Sequence, residues 1–202
     1  MFNTPNYIEV YDNALTSYEC REIIKYIESQ ELYKGRSGDG YKVMPSIKDD
    51  WETSGDLRKN TFVDESLRKA LYLNVKKYTK KYPSVDNLLT FWGIENLYNL
   101  QKYNPGQGYH KIHCEQDSPD RSLRILTWMF YLNTVKSGGG TYFGQYNKTL
   151  NAKEGRLVIW PAYWTHPHRG IVSHKETKYI ATGWFRFFVD DGGDRVHQRT
   201  HE

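Results

Sequence analysis

Apolar residues recur along the chain at two different periods, and the change falls near residue 90. Cys20, Ile23, Ile24 and Ile27 stand at i, i+3, i+4 and i+7, the stripe of an amphipathic helix. Thr16 and Ser17 can cap its start, and Lys34 with Gly35 is expected to stop it. A second stripe, Leu67, Leu71, Val75, Tyr78 and Tyr82, follows Asp64 as its expected cap and ends at Pro83. Between the two helices, residues 35–60 are polar and carry Gly35, Gly38, Gly40, Pro45 and Gly55, with one short strand expected at 41–44. That segment is either an ordinary surface loop or a mobile lid. Another short strand is expected at residues 7–11.

Beyond residue 90 the period shortens to two. Residues 97–103 alternate, Pro105, Gly106, Gln107 and Gly108 make a turn, and residues 109–115 read as extended. The strongest alternation runs over 124–133. It puts Ile125, Thr127, Met129 and Tyr131 on one face and Leu126, Trp128, Phe130 and Leu132 on the other. Gly138, Gly139 and Gly140 turn into a strand over 141–146. A further strand over 156–160 ends at Pro161, and the last long one covers 178–189. Short strands at this spacing, separated by Gly and Pro turns, predict a mainly β fold, a sandwich or a jelly roll, with the helices packed outside the sheet.

Length fits one domain: a helical part with the loop over 1–90, a jelly-roll core over 91–189 and a polar tail over 190–202. The 28 basic and 24 acidic side chains leave a net charge of +4, scattered along the chain. Lys76, Lys77, Lys80 and Lys81 are the densest basic group, expected as a solvated helix face and not a nucleic-acid patch. Cys20 and Cys114 give no disulfide framework. No apolar run approaches the ~18 residues of a membrane span, and residues 1–11 lack the pattern of a secretion signal. A reducing, cytoplasmic setting with neither membrane nor nucleic-acid partner is the expectation.

Candidate chemistry lies at His113, Cys114 and Glu115 and, further on, at residues 165–170 with His166 and His168. Two imidazoles and one carboxylate hold one face of an octahedral ferrous ion and leave three positions open. On an extended segment His113 and Glu115 point the same way and Cys114 points away. The distal imidazole must come from a non-adjacent strand, and His166 and His168 are both candidates. Asp117 is a rival carboxylate at a poorer spacing from His113. His110 and His174 are expected to be satisfied or surface histidines. His197 and His201 lie in the tail at i, i+4. Trp128, Trp160 and Trp164 are expected in the core or at the rim.

Several further stretches carry a family resemblance. Tyr103, Asn104, Pro105, Gly106, Gln107, Gly108 and Tyr109 lead into His113; Arg124 heads a strand closing on Tyr131, Leu132 and Asn133. Gly139, Gly140, Thr141, Tyr142 and Phe143 follow, then His168, Lys178 ten positions later, and Trp184. In this order the strand half, from 103 to 184, resembles the 2-oxoglutarate/Fe(II)-dependent oxygenases, specifically the prolyl 4-hydroxylase branch. Trp160, Pro161, Ala162, Trp164 and Thr165 add a likeness to short phage and microbial members. The family's usual carboxylate ligand is Asp, and here Glu115 stands in its place.

The resemblance implies a double-stranded β-helix that uses Fe(II), 2-oxoglutarate and O2, with ascorbate as a reductant. His113, Glu115 and His168 would hold the metal, the interval to Lys178 selecting His168 over His166. Lys178, helped by the Tyr131 hydroxyl, would bind the far carboxylate of 2-oxoglutarate, and Tyr103 would sit near its C1 end. Arg124 and Trp184 would line the substrate side or brace the barrel. The implied reaction hydroxylates a prolyl residue of a peptide or protein, giving succinate and CO2. The alternatives are the same chemistry on a free amino acid or other small molecule, and a non-catalytic cupin-like metal-binding module.

Overall fold

The computed structural model describes residues 5–37 and 42–188. The histidines of the tail and the start of the strand expected at 41–44 lie outside the described residues. The first part contains β1 (Glu9–Tyr11), α1 (Ser17–Ser29), β2 (Tyr33–Lys34), β3 (Lys48–Asp49), β4 (Trp51–Asp56), α2 (Phe62–Lys81) and the single turn α3 (Pro83–Asp86). The second contains β5 (Trp92–Ile94), β6 (Leu97–Tyr103), β7 (Gly108–Tyr109), β8 (Arg124–Tyr131), β9 (Thr141–Phe143), β10 (Lys148–Leu150), β11 (Arg156–Pro161), β12 (His168–Gly170) and β13 (Lys178–Phe187).

The large antiparallel sheet runs β1-β11-β8-β13-β6-β4-β2, with β5 paired to the end of β13. A smaller sheet, β10-β9-β12, faces it, and β3 pairs β7 at the side. This is a double-stranded β-helix. The alternation along the central strands sorts side chains to its two faces. Leu126, Trp128 and Phe130 of β8, Leu100 of β6 and Ala181 of β13 pack against Ile23, Ile27, Leu67 and Leu71 of the two long helices. Met129, Tyr131, Val158, Trp160 and Ile180 face inward onto Phe143 and Leu150 of the small sheet. Each Leu, Ile or Phe so enclosed contributes about 1.5–3 kcal/mol. Ile125, expected beside Met129, joins the helix side instead. The register of β8 on β13 slips there, from Phe185 opposite Leu126 to Arg186 opposite Arg124, and this bulge resets the alternation.

The helices start as their sequences dictate. Thr16 accepts from the Glu19 amide while Glu19 returns a bond to the Thr16 amide, a complete capping box. In α2 the cap is Thr61, and Asp64 is its reciprocal partner at the third position instead of the cap itself. Helix α1 ends at Ser29, well before Gly35, because the chain must turn extended to place β2 on the sheet edge.

The largest correction concerns residues 35–60. The described residues there include two strands in place of the expected loop or lid: β3 lies at the side, and β4 is an interior strand of the large sheet, between β6 and β2. Gly55 lies flat against Tyr98, whose ring atoms stand 2.0–2.5 Å from where a β-carbon would be. The expected strand at 41–44 reduces to a single bridge between Ser37 and Lys42. Among the described residues, no helix is long and apolar enough to cross a membrane.

Candidate metal centre

His113 lies outside any regular strand but pairs with His168 of β12 as an isolated bridge. Each main-chain N–H donates to the other's carbonyl at 2.9 Å. Glu115 is fixed by its own N–H, which donates to the Ala162 carbonyl at 3.1 Å. The segment 109–115 is therefore mostly irregular and not one strand, yet it aims both side chains at one point. Glu115 Oε1 stands 3.4 Å from His113 Nε2 and 3.4 Å from His168 Nε2. The three ligand atoms lie within 4.8 Å of one another, and this is the cluster of its kind among the described residues.

The environment prepares these groups for a cation. His113 Nδ1–H donates to the Lys111 carbonyl at 2.9 Å, and His168 Nδ1–H to the His166 carbonyl at 3.0 Å. Both imidazoles thereby present Nε2 lone pairs inward, the arrangement a metal-binding histidine needs. Burial, with His113 alongside, lowers the His168 pKa and keeps that ring neutral. With no cation bound, an imidazole that carries a proton on Nε2 pairs with Glu115 and, against the effect of burial, holds its carboxyl well below the usual range. Tyr109 stacks on the His113 ring at 3.6 Å, and Phe143 and Trp160 pack around His168.

The rival residues are engaged elsewhere. His166 is buried, with Nε2 facing the Asn6 carbonyl at 2.8 Å and Nδ1 facing the Thr165 hydroxyl at 2.9 Å. Asp117 pairs with Arg121 at 2.7 Å. Cys114 turns away, its thiol against the Gln116 carbonyl.

Lys178 opens β13 and is buried, with Nζ 4.3 Å from the centroid of the Tyr103 ring. Its ammonium lies 3.7 Å from the point a β-carbon on Gly170 would occupy, two residues beyond His168 on the same strand. Burial lowers its pKa to about 8, although Asp50 counteracts this. Tyr103 thus stands at the Lys178 end. The Tyr131 hydroxyl, expected to help Lys178 hold a carboxylate, shares a hydrogen bond with Thr141 Oγ1 at 2.6 Å. Arg124 and Trp184 stack, guanidinium carbon 3.4 Å from the ring centroid, and both reach Glu115.

Sequence reasoning missed a buried polar group beside Tyr103. Lys48, Asp50 and Glu52, at alternate positions, converge with Gln101: Lys48 pairs with both carboxylates, and Gln101 Nε2 donates to Asp50 at 2.6 Å. The alternation was present in the sequence as a period-two signal, hidden by charges that usually mark a loop.

Residues 98–186 match the 2OG-Fe(II) oxygenase superfamily. The fold and the triad accord with that match, and the chain is similar to the prolyl 4-hydroxylase branch of that superfamily. A protein of Acanthamoeba polyphaga mimivirus assigned as a prolyl 4-hydroxylase is 29% identical over 145 residues, 61% of this chain and 60% of that protein. The chain therefore spans less than two thirds of that relative. The viral collagen prolyl hydroxylase of Paramecium Bursaria Chlorella virus-1, solved with 2OG, superposes with a TM-score of 0.64 at 21% identity, covering 90% of this chain and 97% of that one. A Trichoplax adhaerens prolyl hydroxylase, solved with a hypoxia inducible factor oxygen degradation domain peptide fragment, gives 0.67 at 18% identity over 90% and 84%. At these identities the two structures establish the shared fold.

Proposed function

We propose that this protein is a 2-oxoglutarate- and Fe(II)-dependent dioxygenase that hydroxylates an unactivated C–H of a prolyl residue in a peptide or protein. One oxygen atom of O2 enters the substrate as hydroxyl and the other enters succinate as 2-oxoglutarate loses CO2. The observation that carries the reading is the sharing of one inner surface by the His113–Glu115–His168 triad and the buried Lys178 ammonium. A dianionic acid leaving water for that surface needs a fixed cation at its far end, because an unpaired buried carboxylate is destabilised by several kcal/mol. A simple metal-binding module has no use for such a cation.

His113, Glu115 and His168 would hold the iron, which supplies oxygen activation and the oxidation of 2-oxoglutarate. Lys178 binds the remote carboxylate and orients the cosubstrate, with Tyr103 beneath its ammonium. Met129, Ile180 and Phe143 belong to the buried apolar cluster that also includes Tyr103, and an apolar surrounding strengthens the charge pairing. Ascorbate is the expected reductant. The prolyl preference rests on the relatives, which include one solved with a peptide. Succinate release with Fe(II) across a panel of Pro-containing peptides and free amino acids tests the reading. Peptide-dependent succinate with one added oxygen on proline is expected. Stimulation by free amino acids alone would transfer the chemistry to small molecules, and no succinate under any condition would refute it.

A further inference from the structure

Glu115 carries one methylene more than the aspartate of the family pattern, and the structure shows where the added length goes. Its two oxygens have different partners. Oε1 stands between the two imidazoles, 3.4 Å from each Nε2. Oε2 is turned away and accepts a hydrogen bond from Trp184 Nε1–H at 2.9 Å. The Trp184 ring is held in turn by the Arg124 guanidinium, stacked on its face at 3.4 Å. Arg124 Nη1 also donates to the Glu115 main-chain carbonyl at 3.3 Å and lies 3.8 Å from Oε2. Glu115 is thus gripped at backbone and side chain from the floor formed by β8 and β13.

We infer that Trp184 is a positioning residue that makes Glu115 a one-oxygen ligand, its indole N–H occupying Oε2 so that Oε1 alone faces the metal. The physical argument is one of competition. A free glutamate carboxylate can turn both oxygens to a cation and so occupy a second position of the face. An N–H fixed on Oε2, with a guanidinium charge nearby, stabilises the turned-away orientation, and hydrogen bonds to an ionised group are among the strong ones. A shorter aspartate on the same backbone would bring its outer oxygen back from the indole. In this chain the glutamate and the Trp184–Arg124 stack therefore function as one unit. The inference rests on the metal-site reading above and gives Trp184 a role apart from any contact with substrate.

The test uses Co(II) in place of Fe(II) on the full chain, reading affinity by calorimetry and ligand arrangement by visible absorption. Trp184→Phe keeps the ring and removes the donor. It should weaken binding by about tenfold or more, the usual effect of losing an outer-shell partner, and change the Co(II) spectrum. Glu115→Asp should change the spectrum from the other side of the same bond, and in that background Trp184→Phe should have little further effect. Trp184→His, which retains a ring N–H, should restore part of the affinity. Unaltered affinity and spectrum in Trp184→Phe, with the wild type binding one Co(II), would overturn the inference alone. So would equal effects of Trp184→Phe in the Glu115 and Asp backgrounds. A wild type that binds no metal would overturn the metal-site reading and this inference with it. Should Trp184→Phe fail to fold, the Glu115→Asp spectrum decides: unchanged absorption there overturns the inference.

Discussion

At the scale of single residues, hydrogen bonding separates side chains that look interchangeable in the sequence. His166 and His168 are two positions apart, and both are buried. His168 spends Nδ1 on a carbonyl and leaves Nε2 toward Glu115, whereas His166 has both nitrogens occupied. His168→Ala should abolish Co(II) or Fe(II) binding measured by calorimetry, and His166→Ala should retain at least part of it. Lys178 invites a second measurement. Its ammonium is held by burial at a pKa of about 8, so the positive charge is lost as pH rises through that value. Affinity for 2-oxoglutarate, followed by titration in the presence of metal, should fall above pH 8. Lys178→Met keeps the stem and removes the charge. It should weaken 2-oxoglutarate binding about a hundredfold, from ~3 kcal/mol in a charge-assisted bond, and leave metal affinity nearly unchanged.

At the scale of elements, glycine in the sequence means two different things. Gly35 and Gly55 suggest a flexible loop, yet each marks a close approach: a β-carbon at Gly55 would meet the Tyr98 ring, and one at Gly35 would fall 1.8 Å from Asp50 Oδ1. Gly55→Ala should lower stability by about 1–3 kcal/mol, the range for overpacking, in denaturant unfolding. An unchanged midpoint would mean that Tyr98 swings aside freely. Much of the architecture was legible because apolar periodicity reports burial directly. The stripe Leu67, Leu71, Val75 and Tyr78 and the two faces of β8 needed no partner to be recognised. Strand β4 was not legible, because Glu52, Ser54 and Asp56 are polar on one side while Thr53 and Gly55 hardly signal the other. Its strand state comes from pairing with β6, a contact between segments far apart in the chain. The meeting of His113 with Glu115 was legible as spacing, although bridges to His168 and Ala162, and not a regular strand, achieve it.

At the scale of the whole molecule, the large sheet divides an apolar core on the helix side from an inner surface that carries buried charge. Lys48, Asp50, Glu52 and Lys178 all belong to that inner side, so the fold encloses ionisable groups there. Stability should register this. Burial raises the Asp50 pKa to about 6, with Glu52 adding repulsion against the opposing pull of Lys48 and Gln101. In the unfolded chain the same carboxyl titrates near its ordinary value of 3.8. Between those two values the folded state binds more protons than the unfolded one, so stability falls as pH rises from about 4 to about 6. The separation corresponds to a loss of about 3 kcal/mol over that window. Asp50→Asn keeps the shape, can still accept from Gln101, and has no charge to bury. Unfolding free energies measured in urea at a series of pH values should show the wild type losing stability over this interval relative to Asp50→Asn, with the difference constant above pH 7. Parallel curves for the two proteins would mean that Lys48 fully neutralises Asp50 in the folded state and that its pKa stays at the ordinary value.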